Sequence, residues 1–347
     1  MAYDLKGYRF SRERFFPKGI FDHIADVRVE RPEAVREFAA RRKKRQRLTT
    51  DGKLVILAAD HPARMVTSML GDPLGMGSRI DYLGRILRVA ATVKLDGVMT
   101  TPDLIEDLLI VDMLNVEAGG PSFLDNQLLV GCMNRGGIIG SRFEMDDRLT
   151  AYTARGMAKM GLDGAKLMFR VDLQEEGSIK TLEYCARAID ECNDLGLPVF
   201  LEPLPVEKVD GVYKTKKSAA DNIRLMGVAS ALGTSSLNTW LKITYSPDFE
   251  KVVLASSLPL LMLGGDSAGN PVGTLEAFHA GISLGGNVRG AMVGRNILFP
   301  GPDDPRAVAA AVDAVLHHAS SVDVAVELMG SHRDKDMDIL TSLLLRS

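Results

Sequence analysis

Gly164-Ala165-Lys166-Leu167-Met168-Phe169-Arg170-Val171 is a short apolar run, residues 181–195 repeat apolar side chains with helical spacing, and Pro198-Val199-Phe200-Leu201-Glu202-Pro203-Leu204 is a second such run. A β-type run, an amphipathic segment and another β-type run make a βα unit on a parallel sheet. Outward from this unit the alternation continues in both directions. Further β-type runs fall at residues 54–60, 97–101, 128–134, 240–245, 259–263 and 290–294, which with the first two make eight. Helical patterns fall at residues 79–94, 147–160, 219–232, 247–256, 274–284 and 305–319. Eight strand–helix pairs in this length predict an α/β fold, a (β/α)8 TIM barrel. A doubly wound open sheet is the alternative, and it would usually carry fewer strands or a reversal of strand order.

Ahead of the first run lies an arm, residues 1–52, with a helical pattern at 31–47 that ends in Arg41-Arg42-Lys43-Lys44-Arg45-Gln46-Arg47. The expected organisation is an N-terminal helical extension (1–52) followed by the barrel domain (53–347). The basic run has two readings, a nucleic-acid patch or cations at a helix C-terminus, where the macrodipole favours them. With 42 Lys and Arg against 45 Asp and Glu, a net charge of −3, the chain is slightly acidic, which favours the second reading and an arm that caps the barrel or reaches a neighbouring subunit. No nucleic-acid partner is expected. The first 19 residues have no apolar core of a secretory signal, and no run approaches the ~18 continuous apolar residues of a membrane span, so a cytoplasmic protein without membrane attachment is expected. Cys132, Cys185 and Cys192 are odd in number and have no CxxC spacing, so neither a disulfide framework nor a zinc ribbon is indicated.

Barrel active sites form at the C-terminal ends of the strands. There the first run ends in Asp60-His61, the fourth carries Lys166, the fifth Glu202 and the sixth Lys242. Lys166, Glu202 and Lys242 are spaced 36 and 40 residues apart, one βα unit each, and so can converge on one pocket. A lysine of ordinary pKa, ~10.4, is neutral in only about one molecule in 10³ at pH 7; burial or a second cation must lower that value before the amine can attack a carbonyl. Lys166 can be the second cation, Glu202 can move protons as a carbinolamine forms and dehydrates, and Asp60 can bind or deprotonate a substrate hydroxyl. The plain structural reading is a buried Lys–Glu–Lys network that only fixes the strands, or a Lys242 whose head reaches water. Two glycine-bearing loops, Gly264-Gly265-Asp266 after the seventh run and Gly294-Arg295-Asn296 after the eighth, lie where this fold usually binds phosphate, with Arg295 able to add a bidentate contact. His61, next to Asp60, is a further candidate for contact with substrate.

These residues resemble the class I, Schiff-base-forming aldolases of the deoxyribose-phosphate aldolase superfamily. The resemblance is greatest to the branch of tagatose-bisphosphate, sulfofructose-phosphate and archaeal-type fructose-bisphosphate aldolases, and it spans residues 54–299. It implies that Lys242 forms the Schiff base, that Glu202 transfers protons beside Lys166, that Asp60 is the strand-one acid, and that Gly264, Gly265, Gly294 and Arg295 hold phosphate. It further implies a metal-independent lyase without a cofactor, a phosphorylated sugar or keto-acid substrate, and a homo-oligomer. There are departures. Leu261-Met262-Leu263 offers no lysine where deoxyribose-phosphate aldolases carry a second one on strand seven, and Glu202-Pro203-Leu204 lacks the strand-five tyrosine of the archaeal enzymes. The chain also resembles the aldolase-like barrels that accompany inositol catabolism, which implies 5-dehydro-2-deoxy-phosphogluconate, cleaved to dihydroxyacetone phosphate and malonic semialdehyde. A rival of another class is a serine hydrolase using Ser267 in Gly265-Asp266-Ser267-Ala268-Gly269 with one of His279, His317, His318 or His332. A barrel that binds a sugar phosphate without turning it over is the third reading.

Overall fold

The computed structural model describes residues 3–134 and 137–345. The β-type runs are strands: β1 (Leu54–Ala59), β2 (Gly97–Thr100), β3 (Leu128–Cys132), β4 (Gly164–Val171), β5 (Val199–Val209), β6 (Val212–Thr215), β7 (Thr239–Thr244), β8 (Leu260–Leu263) and β9 (Val288–Val293). All but β6 pair in parallel in the order β4-β3-β2-β1-β9-β8-β7-β5, and β4 pairs with β5 to close the ring. The fold is an eight-stranded (β/α)8 barrel. Its strands are buried on both faces, so they read as continuous apolar runs rather than alternating ones. β1, Leu-Val-Ile-Leu-Ala-Ala, is buried throughout.

The side chains nevertheless divide by parity, because successive residues of a strand point to opposite faces. Leu54, Ile56 and Ala58 of β1 join Val130, Cys132, Phe200, Leu261 and Met292 in a cluster inside the barrel. Val55, Leu57 and Ala59 face the surrounding helices in the larger core. The inward parity continues to Asp60 after β1 and selects Lys166 on β4, Glu202 on β5 and Lys242 on β7.

The elements around the barrel depart from the sequence reading in several places. The segment read as a helix over 147–160 is helical only at Ala154–Lys159, capped by Thr153, whose hydroxyl accepts from Gly156 N–H at 3.0 Å. The helix Pro102–Glu117 and the hairpin β5–β6 are additional. That hairpin turns at Asp210-Gly211, with φ of +52° and +81°. Asp-Gly between two β-type runs is a strong local signal for a two-residue hairpin with both central residues at positive φ.

The arm forms three helices, Arg12–Phe15, Lys18–Glu30 and Glu33–Arg41, in place of one over 31–47. Its basic run leaves the helix at Arg42 and braces the N-terminal end of the barrel. The Arg42 guanidinium donates to Asp163 at 2.5 Å and to the Gln127 carbonyl at 2.7 Å, and Arg45 pairs with Asp96 at 2.7 Å. Asp96 and Asp163 immediately precede β2 and β4, so these cations answer specific carboxylates rather than a helix dipole. No helix among the described residues is long and apolar enough to cross a membrane.

Candidate active site

Strand register sets the heights of the candidate residues. Leu201 pairs with Leu241, which puts Glu202 and Lys242 side by side at one level. Lys166 pairs with Phe200, one inward layer deeper than Glu202. Lys166 therefore rises from below into the carboxylates and is fully buried, while Lys242 keeps 7% exposure at the mouth. The layer beneath Glu202 and Lys242, level with Lys166, includes Phe200 and Trp240, whose ring centroids are 6.1 Å apart.

Lys166 Nζ donates to Asp60 Oδ2 at 3.0 Å and lies 3.1 Å from Glu202 Oε2. Lys242 Nζ lies 3.1 Å from the same Oε2. Asp60, Lys166, Glu202 and Lys242 thus form one continuous chain of alternating charge across the barrel mouth.

Burial opposes charge on all four groups, and what differs is what each finds nearby. For Lys166, the charges of Asp60 and Glu202 outweigh burial and raise its pKa above the ordinary lysine value, so it remains an ammonium. For Lys242, burial is the largest effect; Glu202 pulls its pKa up, Lys166 pushes it down, and the result is lowered. Burial would raise Asp60, but Lys166, Arg64, His61 and Lys242 hold it well below the usual carboxylate range. Glu202 is likewise lowered against its burial by Lys242, Lys166 and Arg64. Two lysines driven in opposite directions are a division of labour: one is a fixed cation and the other is primed to lose its proton.

The proposed phosphate loops sit on the opposite side of the pocket from β4. Gly265 has φ of +68°, in the left-handed region. Gly294 has no room for a side chain, since a Cβ there would collide with the Ala58 carbonyl. Asn296 ties the two loops together, its amide donating to the Gly264 carbonyl at 2.6 Å. Arg295 is paired with Asp266. His61 is buried, its Nδ1 is 3.9 Å from Asp60 Oδ1 and has no hydrogen-bond partner among the described residues, and burial together with Arg64 lowers its pKa, which favours the neutral ring.

Ser267 is occupied by its own turn. Its hydroxyl donates to the Phe299 carbonyl at 2.7 Å and accepts from Gly269 N–H at 3.1 Å. The proposed histidine partners are engaged elsewhere: His317 contacts Asp51 and Asp96, each at 2.9 Å, His318 lies 3.8 Å from Asp313, and His332 is 3.1 Å from Arg306. Among the described residues no histidine is hydrogen-bonded to Ser267.

Sequence reasoning missed three members of the pocket. Arg64, on the short 3-10 turn Pro62–Arg64 after β1, sends its charge to both Asp60 and Glu202. The Cys132 thiol lies 3.6 Å from Asp60 Oδ2, and burial pushes its pKa up to about 12, so it is a neutral wall. Tyr82, 1% exposed, is shifted first by burial and then by the nearby Asp60 charge. A cation four residues after a strand-end acid was a visible signal for Arg64. Cys132 was visible too, through its inward parity on β3.

The family model described as Cgl0159-like matches residues 52–316, and the chain belongs to that family. Cgl0159 from Corynebacterium glutamicum (Brevibacterium flavum) is 34% identical, with 88% of this chain and 98% of that chain covered and a TM-score of 0.80. A fructose-bisphosphate aldolase from Slackia heliotrinireducens superposes with a TM-score of 0.60 at 18% identity, covering 94% of this chain and 97% of that one. An archaeal fructose-1,6-bisphosphate aldolase, captured with its catalytic lysine covalently bound to the carbinolamine intermediate, gives 0.53 at 20% identity, with 82% and 99% covered. At these identities the two aldolases establish a shared barrel fold.

Proposed function

We propose that this member of the Cgl0159-like family is a class I aldolase in which Lys242 forms a Schiff base with a phosphorylated ketose or keto acid. The observation that carries the reading is the single carboxylate oxygen, Glu202 Oε2, held 3.1 Å from both Lys242 Nζ and Lys166 Nζ. Such a group can take the proton from Lys242 while the permanent cation below keeps the carboxylate charged until then.

The free amine adds to the ketone carbon and gives a carbinolamine. Glu202 returns the proton to the departing hydroxyl, water leaves, and the iminium forms. Asp60, directly or through a water, accepts the proton of the hydroxyl beta to the carbonyl carbon, on C4 of a 2-ketose and on C3 of 5-dehydro-2-deoxy-phosphogluconate. The C3–C4 pair then flows into the iminium, leaving an enamine on Lys242 and freeing the aldehyde. Protonation and hydrolysis of the enamine release dihydroxyacetone phosphate. The phosphate rests on Gly265, Gly294 and Arg295, with His61 as a neutral contact. Within this class we favour 5-dehydro-2-deoxy-phosphogluconate as substrate; fructose or tagatose bisphosphate and sulfofructose phosphate need the same chemistry.

The test is borohydride reduction in the presence of dihydroxyacetone phosphate, followed by intact mass and peptide mapping. A stable adduct on Lys242 is expected, and none in Lys242→Ala, whose fold should be intact by circular dichroism. Folded wild-type protein that gives no adduct would sink the assignment.

A further inference from the structure

Arg64 differs from four other arginines that are as buried or more so. Arg42, Arg88, Arg170 and Arg333 each sit on a carboxylate, at 2.5, 2.8, 2.5 and 2.9 Å. The guanidinium of Arg64 is partly buried, yet its one hydrogen-bond contact among the described residues is the Met168 thioether, 3.5 Å from Nη1, and its Nε has no partner. A desolvated guanidinium resting on a sulfur retains its capacity to bind an anion, and its planar fork suits a carboxylate or a phosphoryl group.

Its place in the ring gives that anion a position. Arg64 leaves β1 but lays its head against Met168 on β4, whereas Arg295 follows β9. In the closed order β4-β3-β2-β1-β9-β8-β7-β5, β4 and β9 are diametrically opposed, and β7, with Lys242, lies midway between them on the β5–β8 side. A ketose phosphate anchored at Arg295 with its carbonyl at Lys242 can direct the rest of its chain toward β4.

We infer that Arg64 is a specificity-determining residue that binds a second anionic group at the far end of the substrate, so that the site selects chains charged at both ends over ketose monophosphates. This rests on the phosphate and Schiff-base positions proposed above. Arg64 also works as a gauge of chain length: a second anion too near the carbonyl would fall short of it.

The experiment is isothermal titration of the intact protein with hexane-1,6-diol bisphosphate, 6-phosphooxyhexanoate and hexyl phosphate. Wild type should bind at least one two-ended ligand at least tenfold more tightly than hexyl phosphate, and the tighter of the two shows whether Arg64 reads a phosphoryl group or a carboxylate. Arg64→Gln should bring that ratio to within about twofold by losing the two-ended ligand. Arg64→Lys, which keeps the charge and loses the fork, should fall between and serves if the glutamine variant does not fold. A ratio near one in wild type, or one that survives both substitutions, overturns the inference. Borohydride trapping separates the two claims. Protein that is trapped but shows no Arg64-dependent ratio remains an aldolase without this specificity, and protein that shows the ratio but is never trapped keeps the two-ended site and loses the aldolase reading.

Discussion

Replacing Lys166 with Met removes a positive charge from beneath the reactive amine while keeping a similar unbranched shape. Both ammonium nitrogens lie 3.1 Å from one carboxylate oxygen, so they are separated by no more than about 6 Å. At an effective dielectric of ~20, two unit charges about 6 Å apart repel by ~3 kcal/mol, about a hundredfold in a protonation equilibrium. Lys166 is one of the groups that push Lys242 down, so its loss lets the Lys242 pKa climb. Relaxation of Asp60 and Glu202, each of which loses its partner, offsets part of this. At pH 7 the neutral fraction of Lys242, and with it the rate of Schiff-base formation, should fall about 10- to 100-fold. The assay is the initial rate of borohydride-dependent labelling by dihydroxyacetone phosphate, measured from pH 6 to 10 in wild type and Lys166→Met. The acid limb should move to higher pH in the variant, with much of the rate recovered at the alkaline end. A loss of similar size at every pH would refute the reasoning and make Lys166 a proton carrier or a structural strut.

Other perturbations test other parts of the molecule. His317 has its pKa raised to about 9, first by its hydrogen bond to Asp96 and, against burial, also by Asp51. With a folded pKa above the ordinary ~6.5, its contribution to stability is complete below about pH 6.5 and is lost as the pH rises through about 9. Thermal melts should show His317→Gln losing roughly 1–3 kcal/mol relative to wild type at pH 6 and much less at pH 10; a gap that does not vary with pH would exclude the charged pair. Gly294→Ala should cost about 3 kcal/mol by driving a methyl into the Ala58 carbonyl, lowering Tm by roughly 4 °C and displacing the loop after β9. An unchanged melt would show that the loop is free to move there. Ser267→Ala should lose about 1 kcal/mol with its hydrogen bond to the Phe299 carbonyl and keep its aldolase turnover, and wild type should resist fluorophosphonate labelling. Covalent labelling of Ser267 would reopen hydrolase chemistry.

The barrel was legible because each strand announces itself locally. Leu54 to Ala59 and Leu260 to Leu263 are apolar without interruption, as strands covered on both faces must be. The helix over 147–160 was over-read because residues 147–153 are tied into tertiary contacts instead: Asp147 N–H donates to the Thr181 hydroxyl at 3.0 Å and Tyr152 N–H to the Cys132 carbonyl at 3.2 Å. The basic run after Arg41 carries no local sign of its partners, since Asp96 and Asp163 lie far along the chain. Arg64 did carry a local sign, four residues after Asp60, but where its head rests was not legible: its sequence position belongs to β1 and its head belongs to β4.

By itself the sequence determined which side chains line the barrel and at which end the polar ones gather. Side-chain parity along a strand is a local, two-residue property that needs only the start of the run. Closure of the ring decided the rest: that Lys166 meets both Asp60 and Glu202, that one oxygen serves two lysines, and that the two lysines shift in opposite directions. Electrostatic energy depends on separations of a few ångströms between residues tens of positions apart, and those separations exist only once β4 has paired with β5 and the circle is complete.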